Sequence, residues 1–370
     1  MFPLLFLLVA AYAALHFVFF HAVRLAFAPP RWVRAGLRLA LIALFIAPLL
    51  TRTFDRVAHE RLALLIGVPG YFWMCGLLWF SLLWLLFWPV RRLARRWPAS
   101  AFVLGPRNVF FACTLAVLGL GVLGWREAHD LRVEEVHVAC THLPPERAGL
   151  RIAFFSDVHL DVLRNHRLLA HLAEKIRALH PDLIVSGGDL VDSPHCLADA
   201  DLLAALAAPL GKFAVLGNHE YYLGLPDALA FHDRAGLTLL RQRAVDLAPG
   251  LWLAGVDNRA GHHFHQACFD DDRAALAAVP TNACTILLKH EPRFTEPLPV
   301  DLVLAGHTHA GQIFPFQAVV RSYYTLLAGL HPLDARTQLY ITRGAGTWGP
   351  PFRLGAPPEL TLLILEPAQP

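Results

Sequence analysis

Charge is what this chain has least of: 16% of its 370 residues are Asp, Glu, Lys or Arg, against 56% hydrophobic residues. That balance excludes an ordinary soluble enzyme over the whole length. The deficit is uneven, because residues before about Trp125 hold long uncharged runs while the remainder has the mixed composition of a globular domain. A basic stripe interleaved with aromatics is absent from the second half, and a net charge of +3, much of it before Trp125, leaves no footprint for nucleic acid. The first segment lacks the basic start of a signal peptide despite Ala11-Tyr12-Ala13, and further apolar runs follow, so it reads as an uncleaved anchor. Those runs carry no acidic or paired-charge pathway in their interiors, which argues against a transporter. None of the six cysteines has CxxC spacing. Cys140, Cys196, Cys268 and Cys284 would permit disulfides in an exported domain, but no pairing can be deduced, and unpaired thiols suit them at least as well.

What the first third does contain is apolar length. A helix needs about 20 apolar residues to span a bilayer. Phe2 to Phe20 meets that, as does Asn108 to Trp125. Leu62 to Val90 carries no charge, is long enough to tilt or break at Pro69-Gly70, and offers Trp73, Trp79, Trp84 and Trp88 to the interfaces. Leu39 to Leu50 is short between Arg38 and Arg52 and contains Pro48; it spans if Arg38 snorkels and Gly36 and Leu37 are included, and it is counted as a span here. His16 and His21 are given interface placement. The expected organisation is a membrane region over residues 1–125 with about four transmembrane helices, a linker over 126–149 through Leu143-Pro144-Pro145, and a catalytic domain over 150–370.

With four spans, one side of the membrane sees Arg24, Arg31, Arg34, Arg38, Arg91, Arg92, Arg95, Arg96 and Arg107, and the other sees Arg52, Arg56, Arg61, Arg126 and Arg132. The positive-inside rule then puts the Arg91–Arg107 loop in the cytoplasm and sends the following domain outward, to the periplasmic side of an inner membrane. Without the Leu39–Leu50 span, the same rule points the domain inward.

Five short patterns of metal-ligand residues follow in one order, each at the end of a strand-like apolar run: Asp157-Val158-His159, Gly188-Asp189, Gly217-Asn218-His219-Glu220, Lys289-His290-Glu291 and Gly306-His307-Thr308-His309. Singly each is weak, since a Gly-Asp pair usually makes a turn. Together they supply imidazoles, carboxylates and an amide oxygen enough for two metals sharing one ligand. Two ions about 3.5–4 Å apart suit in-line attack on phosphorus, so a two-metal hydrolase is the leading reading.

Alternating patterns surround these motifs: strand at Arg151–Phe155, helix at His166–His180, strand at Leu183–Ser186, helix at Leu197–Ala208 and strand at Phe213–Leu216. Strands follow more closely at Leu237–Leu240, Leu251–Val256, Thr285–Leu288, Leu302–Ala305, Leu339–Thr342 and Leu360–Leu365. A mixed sheet, or two sheets face to face with helices outside, fits this rhythm, and sites in such folds gather beyond the carboxyl ends of strands.

The order of motifs resembles the calcineurin-like metallophosphoesterase family from about Leu150 to the C-terminus. Gly188-Asp189-Leu190-Val191-Asp192, Glu220-Tyr221-Tyr222, Leu304-Ala305-Gly306-His307-Thr308-His309 and Gly344-Ala345-Gly346-Thr347-Trp348-Gly349-Pro350-Pro351, continued by Phe352-Arg353-Leu354-Gly355, resemble its membrane-associated bacterial phosphodiesterase branch. The resemblance implies an α/β fold, a four-layer α/β/β/α sandwich preceded here by the transmembrane bundle. It also implies one metal on Asp157, His159 and His309, a second on Asn218, His290 and His307, and Asp189 bridging, with His219 contacting phosphate and protonating the leaving group. Two divalent or trivalent ions are expected, Mn, Fe, Zn or Co, with Mn favoured. Residues two apart on an extended chain face one way, which would let Asp157 and His159 converge.

Attack by a metal-bridging hydroxide on a phosphodiester or pyrophosphate is the expected reaction, on a lipid-linked or envelope phosphate ester, with membrane lipids as neighbours and no nucleic acid. The alternatives are a nucleotide-sugar lipid pyrophosphatase of the UDP-diacylglucosamine kind, and a membrane sensor or scaffold that keeps the metal site. Ala310 stands where close relatives commonly have glycine, which matters if that backbone needs positive φ. Asp192 and Glu220 read as hydrogen-bonding groups behind the ligands. His262, His263 and His265 could make a further metal site, but after Asn258-Arg259-Ala260-Gly261 they read as a polar loop.

Overall fold

The computed structural model describes residues 2–57, 59–94, 103–161, 163, 166–294 and 296–368. Two compact units divide the chain, Met1–Trp125 with Gly349–Phe352, and Arg126–Trp348 with Arg353–Pro370.

In the first unit, helices α1 (Phe2–Phe27), α2 (Arg31–Arg56), α3 (Glu60–Ala94) and α4 (Pro106–Ala128) are each long and apolar enough to cross a membrane. The short Leu39–Leu50 segment lies inside the 26 residues of α2, which runs through both flanking arginines. Pro48 has no N–H to give the Leu44 carbonyl, and the Tyr12 hydroxyl on α1 donates to that oxygen instead, at 3.3 Å. His16 is held the same way. Its Nε2 accepts from Trp73 Nε1 at 3.0 Å and its Nδ1 donates to the Tyr12 carbonyl at 2.9 Å, which fixes a neutral tautomer between α1 and α3.

The second unit has two six-stranded sheets. One has the order β1 (Arg132–Cys140), β12 (Glu359–Pro367), β2 (Leu150–Phe155), β3 (Leu183–Ser186), β4 (Lys212–Ala214), β5 (Thr238–Leu239). The other runs β10 (Gly329–Pro332), β11 (Gln338–Ile341), β9 (Leu302–Ala305), β8 (Cys284–Leu288), β7 (Leu251–Gly255), β6 (Arg243–Ala248). Alternation along the strands builds three layers of core. Ile152 and Phe154 of β2, Leu183 and Val185 of β3, Ile286 and Leu288 of β8, and Leu302 and Leu304 of β9 share the core between the sheets. Ala153, Phe155 and Ile184 point the other way, onto Leu169, Leu172 and Ile176 of the helix His166–Leu179. Leu287 and Val303 point outward onto Leu276 and Leu298. Each of the Val, Leu, Ile and Phe side chains among them contributes about 1.5–3 kcal/mol by leaving water. The result is the α/β fold class expected, two sheets face to face with helices outside.

Two expectations need correction. The linker over 126–149 instead carries the end of α4 and all of β1, which pairs in parallel with β12 from Arg132 opposite Glu359 to Cys140 opposite Pro367. Its sequence, with Arg132, Glu134, Glu135 and His137, is that of a charged sheet edge rather than an apolar run. The helix expected at Leu197–Ala208 is a 3₁₀ stretch at Pro194–Asp199 followed by five helical residues, Ala200–Ala204. All six cysteines are free thiols.

Candidate metal centre

Strands β2, β3 and β4 run parallel, as do β8 and β9, so their carboxyl ends deliver five loops to one place. Those loops carry the seven expected ligands. Asp157, His159 and His309 form one cluster and Asp189, His290 and His307 another. Within the first, His159 Nε2 lies 3.0 Å from His309 Nε2, and His309 Nε2 lies 3.4 Å from Asp157 Oδ1. Within the second, His290 Nε2 is 3.1 Å from His307 Nδ1, from Asn218 Oδ1 and from Asp189 Oδ2. Asp189 Oδ2 is also 3.8 Å from His159 Nε2, which places this carboxylate between the two clusters.

The backbone that achieves this is not the extended chain expected. Asp157, His159, Asp189, His307 and His309 have φ of 56, 52, 54, 70 and 49°. Left-handed geometry costs a non-glycine residue about 1–3 kcal/mol and is kept where surrounding structure enforces it. Enforcement comes from glycines that admit the carboxylates. A Cβ on Gly217 would lie 2.1 Å from Asp189 Oδ1, and one on Gly306 would lie 2.3 Å from Asp157 Oδ2. Ala310 is itself left-handed, with φ 48°, so its methyl group is strained where glycine would be relaxed.

Outer hydrogen bonds aim the ligands. His290 Nδ1 donates to the Gly187 carbonyl at 2.8 Å, which turns the Nε2 lone pair toward Asp189 and Asn218. His159 Nδ1 faces Asp192 Oδ1 at 3.1 Å, and His219 Nδ1 makes a close but poorly aligned contact with Asp192 Oδ2 at 2.9 Å. The backbone N–H of His307 donates to Asp157 and that of His219 to Asp189 Oδ1. Glu220 is fully buried and accepts from the backbone N–H groups of Asp189, Leu190 and Gly217 at 2.9, 2.7 and 2.7 Å, joining two of the loops.

Electrostatics follow from burial and proximity. Burial works against charge on Asp189, but His290, His219 and His159 hold its carboxyl well below the ordinary range. Burial also opposes the charged forms of His159 and His290, yet carboxylates outweigh it, Asp192 first for His159 and Asp189 first for His290, pushing them up to about 9 and about 10. Burial and the neighbouring His290 charge push His307 down to about 4, and burial with His159 and Arg353 lowers His309. Each imidazole pair brings two facing ring nitrogens to one point. Nitrogen and carboxylate donors without thiolate, converging on two such points, fit two divalent cations.

Residues that motif reading passed over complete the site. Arg353 is fully buried, donates to the carbonyls of Gly344, Gly346 and Ala356, and sets Nη2 3.3 Å from His309 Nδ1. Trp348, half exposed, stands edge-on to His219 at 5.8 Å between ring centres, Tyr222 lies 4.9 Å from it, and Tyr324 packs on His307 at 5.5 Å. The Gly344–Gly355 stretch pointed to Trp348 and Arg353 without assigning them a role; Tyr324 left no signal.

Comparison with known proteins bears on this geometry. A family model described as calcineurin-like phosphoesterase matches residues 150–311, a range that includes all seven residues. An uncharacterized metallophosphoesterase of Aquifex aeolicus is 38% identical over 262 residues, spanning 68% of this chain and 98% of its own. One from Helicobacter pylori strain 26695 is 36% identical, spanning 68% and 69%. A transmembrane protein with metallophosphoesterase domain from Bos taurus is 33% identical, spanning 75% of this chain and 64% of its own.

Proposed function

Because the chain belongs to the calcineurin-like phosphoesterase family, we propose that it is a membrane-anchored, two-metal hydrolase of phosphodiesters or pyrophosphates. Asp157, His159 and His309 would hold one ion, Asn218, His290 and His307 the other, and Asp189 would reach both. The observation that carries this reading is the position of Asp189, with one carboxylate oxygen 3.1 Å from His290 Nε2 and 3.8 Å from His159 Nε2.

Bound ions would supply Lewis acidity and an activated water, with Mn favoured over Fe, Zn or Co. The chain's own groups do the rest. His219 stands beside the first cluster, within 4.8 Å of donor atoms of His159 and Asp189, and Asp192 faces its Nδ1, so its ring is set to deliver a proton to a leaving oxygen. Trp348 and Tyr222 confine that ring from two sides.

The test uses the full-length protein in detergent, with metal analysis and a chromogenic phosphodiester beside a phosphomonoester. Two ions and metal-dependent diester cleavage are expected. His219→Ala should keep both ions while turnover falls about 10²–10⁴-fold; loss of an ion in that variant would instead make His219 a residue that only orients Asn218 or Asp157. Bound metal with no turnover of either ester would favour a sensor or scaffold.

We further propose that the catalytic unit faces the periplasm and acts on lipid-linked or envelope phosphate esters. Nine arginines, Arg24, Arg31, Arg34, Arg38, Arg91, Arg92, Arg95, Arg96 and Arg107, support a cytoplasmic position for the loops that hold them. Tethering raises the effective concentration of substrates in the same surface. Protease added to the periplasmic face of sealed vesicles should digest the residue 126–370 region; digestion only from the cytoplasmic face would reverse the orientation.

A further inference from the structure

Outside the centre described above, one cluster of donor atoms brings together an imidazole, a thiol and a carboxylate. His262 lies in a short helical turn, Ala260–His263, and the chain returns through Cys268 to Asp270. His262 Nε2 is 3.0 Å from Asp270 Oδ1, and the donor atoms of His262, Cys268 and Asp270 lie within 4.8 Å of one another. Among the described residues, Cys268 is the one cysteine in such a group. The sequence reading of this stretch as a polar loop with three histidines is thus incomplete: His262 gathers with Cys268 and Asp270, not with His263 and His265.

We propose that His262, Cys268 and Asp270 form a separate site for a single Zn²⁺ ion, with a fourth position open to water. Tetrahedral Zn²⁺ with Zn–N about 2.0 Å and Zn–S about 2.3 Å puts neighbouring donors about 3.3–3.6 Å apart, so side-chain adjustments of an ångström or so complete the geometry. Nitrogen, sulfur and oxygen donors together select Zn²⁺ over the oxygen-seeking Mg²⁺ and Ca²⁺. The surroundings favour a cation. Asp270 Oδ1, 3.0 Å from His262 Nε2, supplies negative charge that an ion there would neutralise, with the Cys268 proton released on binding.

The loop is already clasped where an ion would lock it. The Gln266 side chain donates to the Tyr221 carbonyl at 2.8 Å while accepting from the Leu225 N–H at 2.7 Å; the bond that the Cys268 thiol donates to the Asn258 carbonyl at 3.2 Å would be exchanged for the ion. Phe264 packs edge-on against Tyr222, whose ring lies against His219. A Zn²⁺ staple across His262 and Asp270 would therefore steady the aromatic wall of the phosphoesterase site without touching substrate.

Cobalt tests this cleanly, because the phosphoesterase centre contains no thiolate. Full-length protein in detergent, kept reduced and titrated with Co²⁺, should develop a near-ultraviolet thiolate-to-cobalt charge-transfer band that saturates with one ion and is displaced by Zn²⁺. Cys268→Ser should abolish the band and remove one equivalent of Zn²⁺, while Asp189→Asn should leave the band intact. His262→Ala, an exposed change that leaves folding alone, should weaken the band's Co²⁺ affinity at least about tenfold, the lower end of what even an outer hydrogen-bonding partner costs a metal site. Absence of the band at saturating Co²⁺, or its survival in Cys268→Ser, would overturn the proposal.

Discussion

Asp189→Asn should lower phosphodiester turnover by about 10³-fold or more and strip at least one ion from the protein. The carboxylate is the group between both clusters, and asparagine keeps its size and shape while removing the charge and one acceptor oxygen. Its Oδ1 accepts from the His219 N–H at 2.8 Å and its Oδ2 faces His290 Nε2 at 3.1 Å. An amide must therefore aim its NH₂ either at a backbone donor or at the ligand pocket, and in both orientations one contact turns from attractive to repulsive. Lewis-acid stabilisation of a transition state is worth several kcal/mol, which is about 10³-fold in rate. The measurement is kcat at saturating Mn²⁺ with metal content determined on the same sample. A variant with two ions and more than about a tenth of parent activity would remove Asp189 from its bridging role.

Glu220→Ala should be the most damaging single change to folding near the site, although Glu220 is placed behind the ligands. Truncation strands the buried N–H groups of Asp189, Leu190 and Gly217, each now bonded to the carboxylate at 2.9 Å or less. A buried donor left without an acceptor costs about 1–3 kcal/mol, so three together reach at least about 3 kcal/mol, a large part of the 5–15 kcal/mol that holds a typical domain. For a unit of this size that corresponds to a melting point lower by about 10 °C. Glu220→Gln, which retains one acceptor oxygen, should fall between the two. Thermal unfolding of the three proteins side by side decides it; an alanine variant melting within about 2 °C of the parent would mean that water or a shifted loop replaces those bonds.

The chain announced which residues gather at the centre far better than the path that brings them together. Asp157, His159, Asp189, Asn218, His290, His307 and His309 were legible because each follows an apolar run, and apolar runs end where strands of a buried sheet end. The left-handed backbone at five of them was not legible, since it is imposed by close neighbours such as Gly217 and Gly306 reaching across from other loops. Strands show the same split. Those inside the sheets appear as Val, Leu, Ile and Phe runs, whereas β1, β6 and β10 went unread, and all three are sheet edges. An edge is exposed on one side and carries charge or turn-forming residues, as in Arg132-Val133-Glu134-Glu135 and Gly329-Leu330-His331-Pro332, so no run marks it. Arg353 was invisible in role because its partners are carbonyls, which any sequence supplies.

The left-handed residues also say something about where the fold carries its strain. At Asp157, His159, Asp189, His307 and His309 the backbone takes a conformation in which glycine alone is unstrained. Five such positions standing together concentrate backbone strain at one end of the sheets, and the hydrogen bonds that Asp157 and Asp189 accept from the His307 and His219 N–H groups help to hold it there.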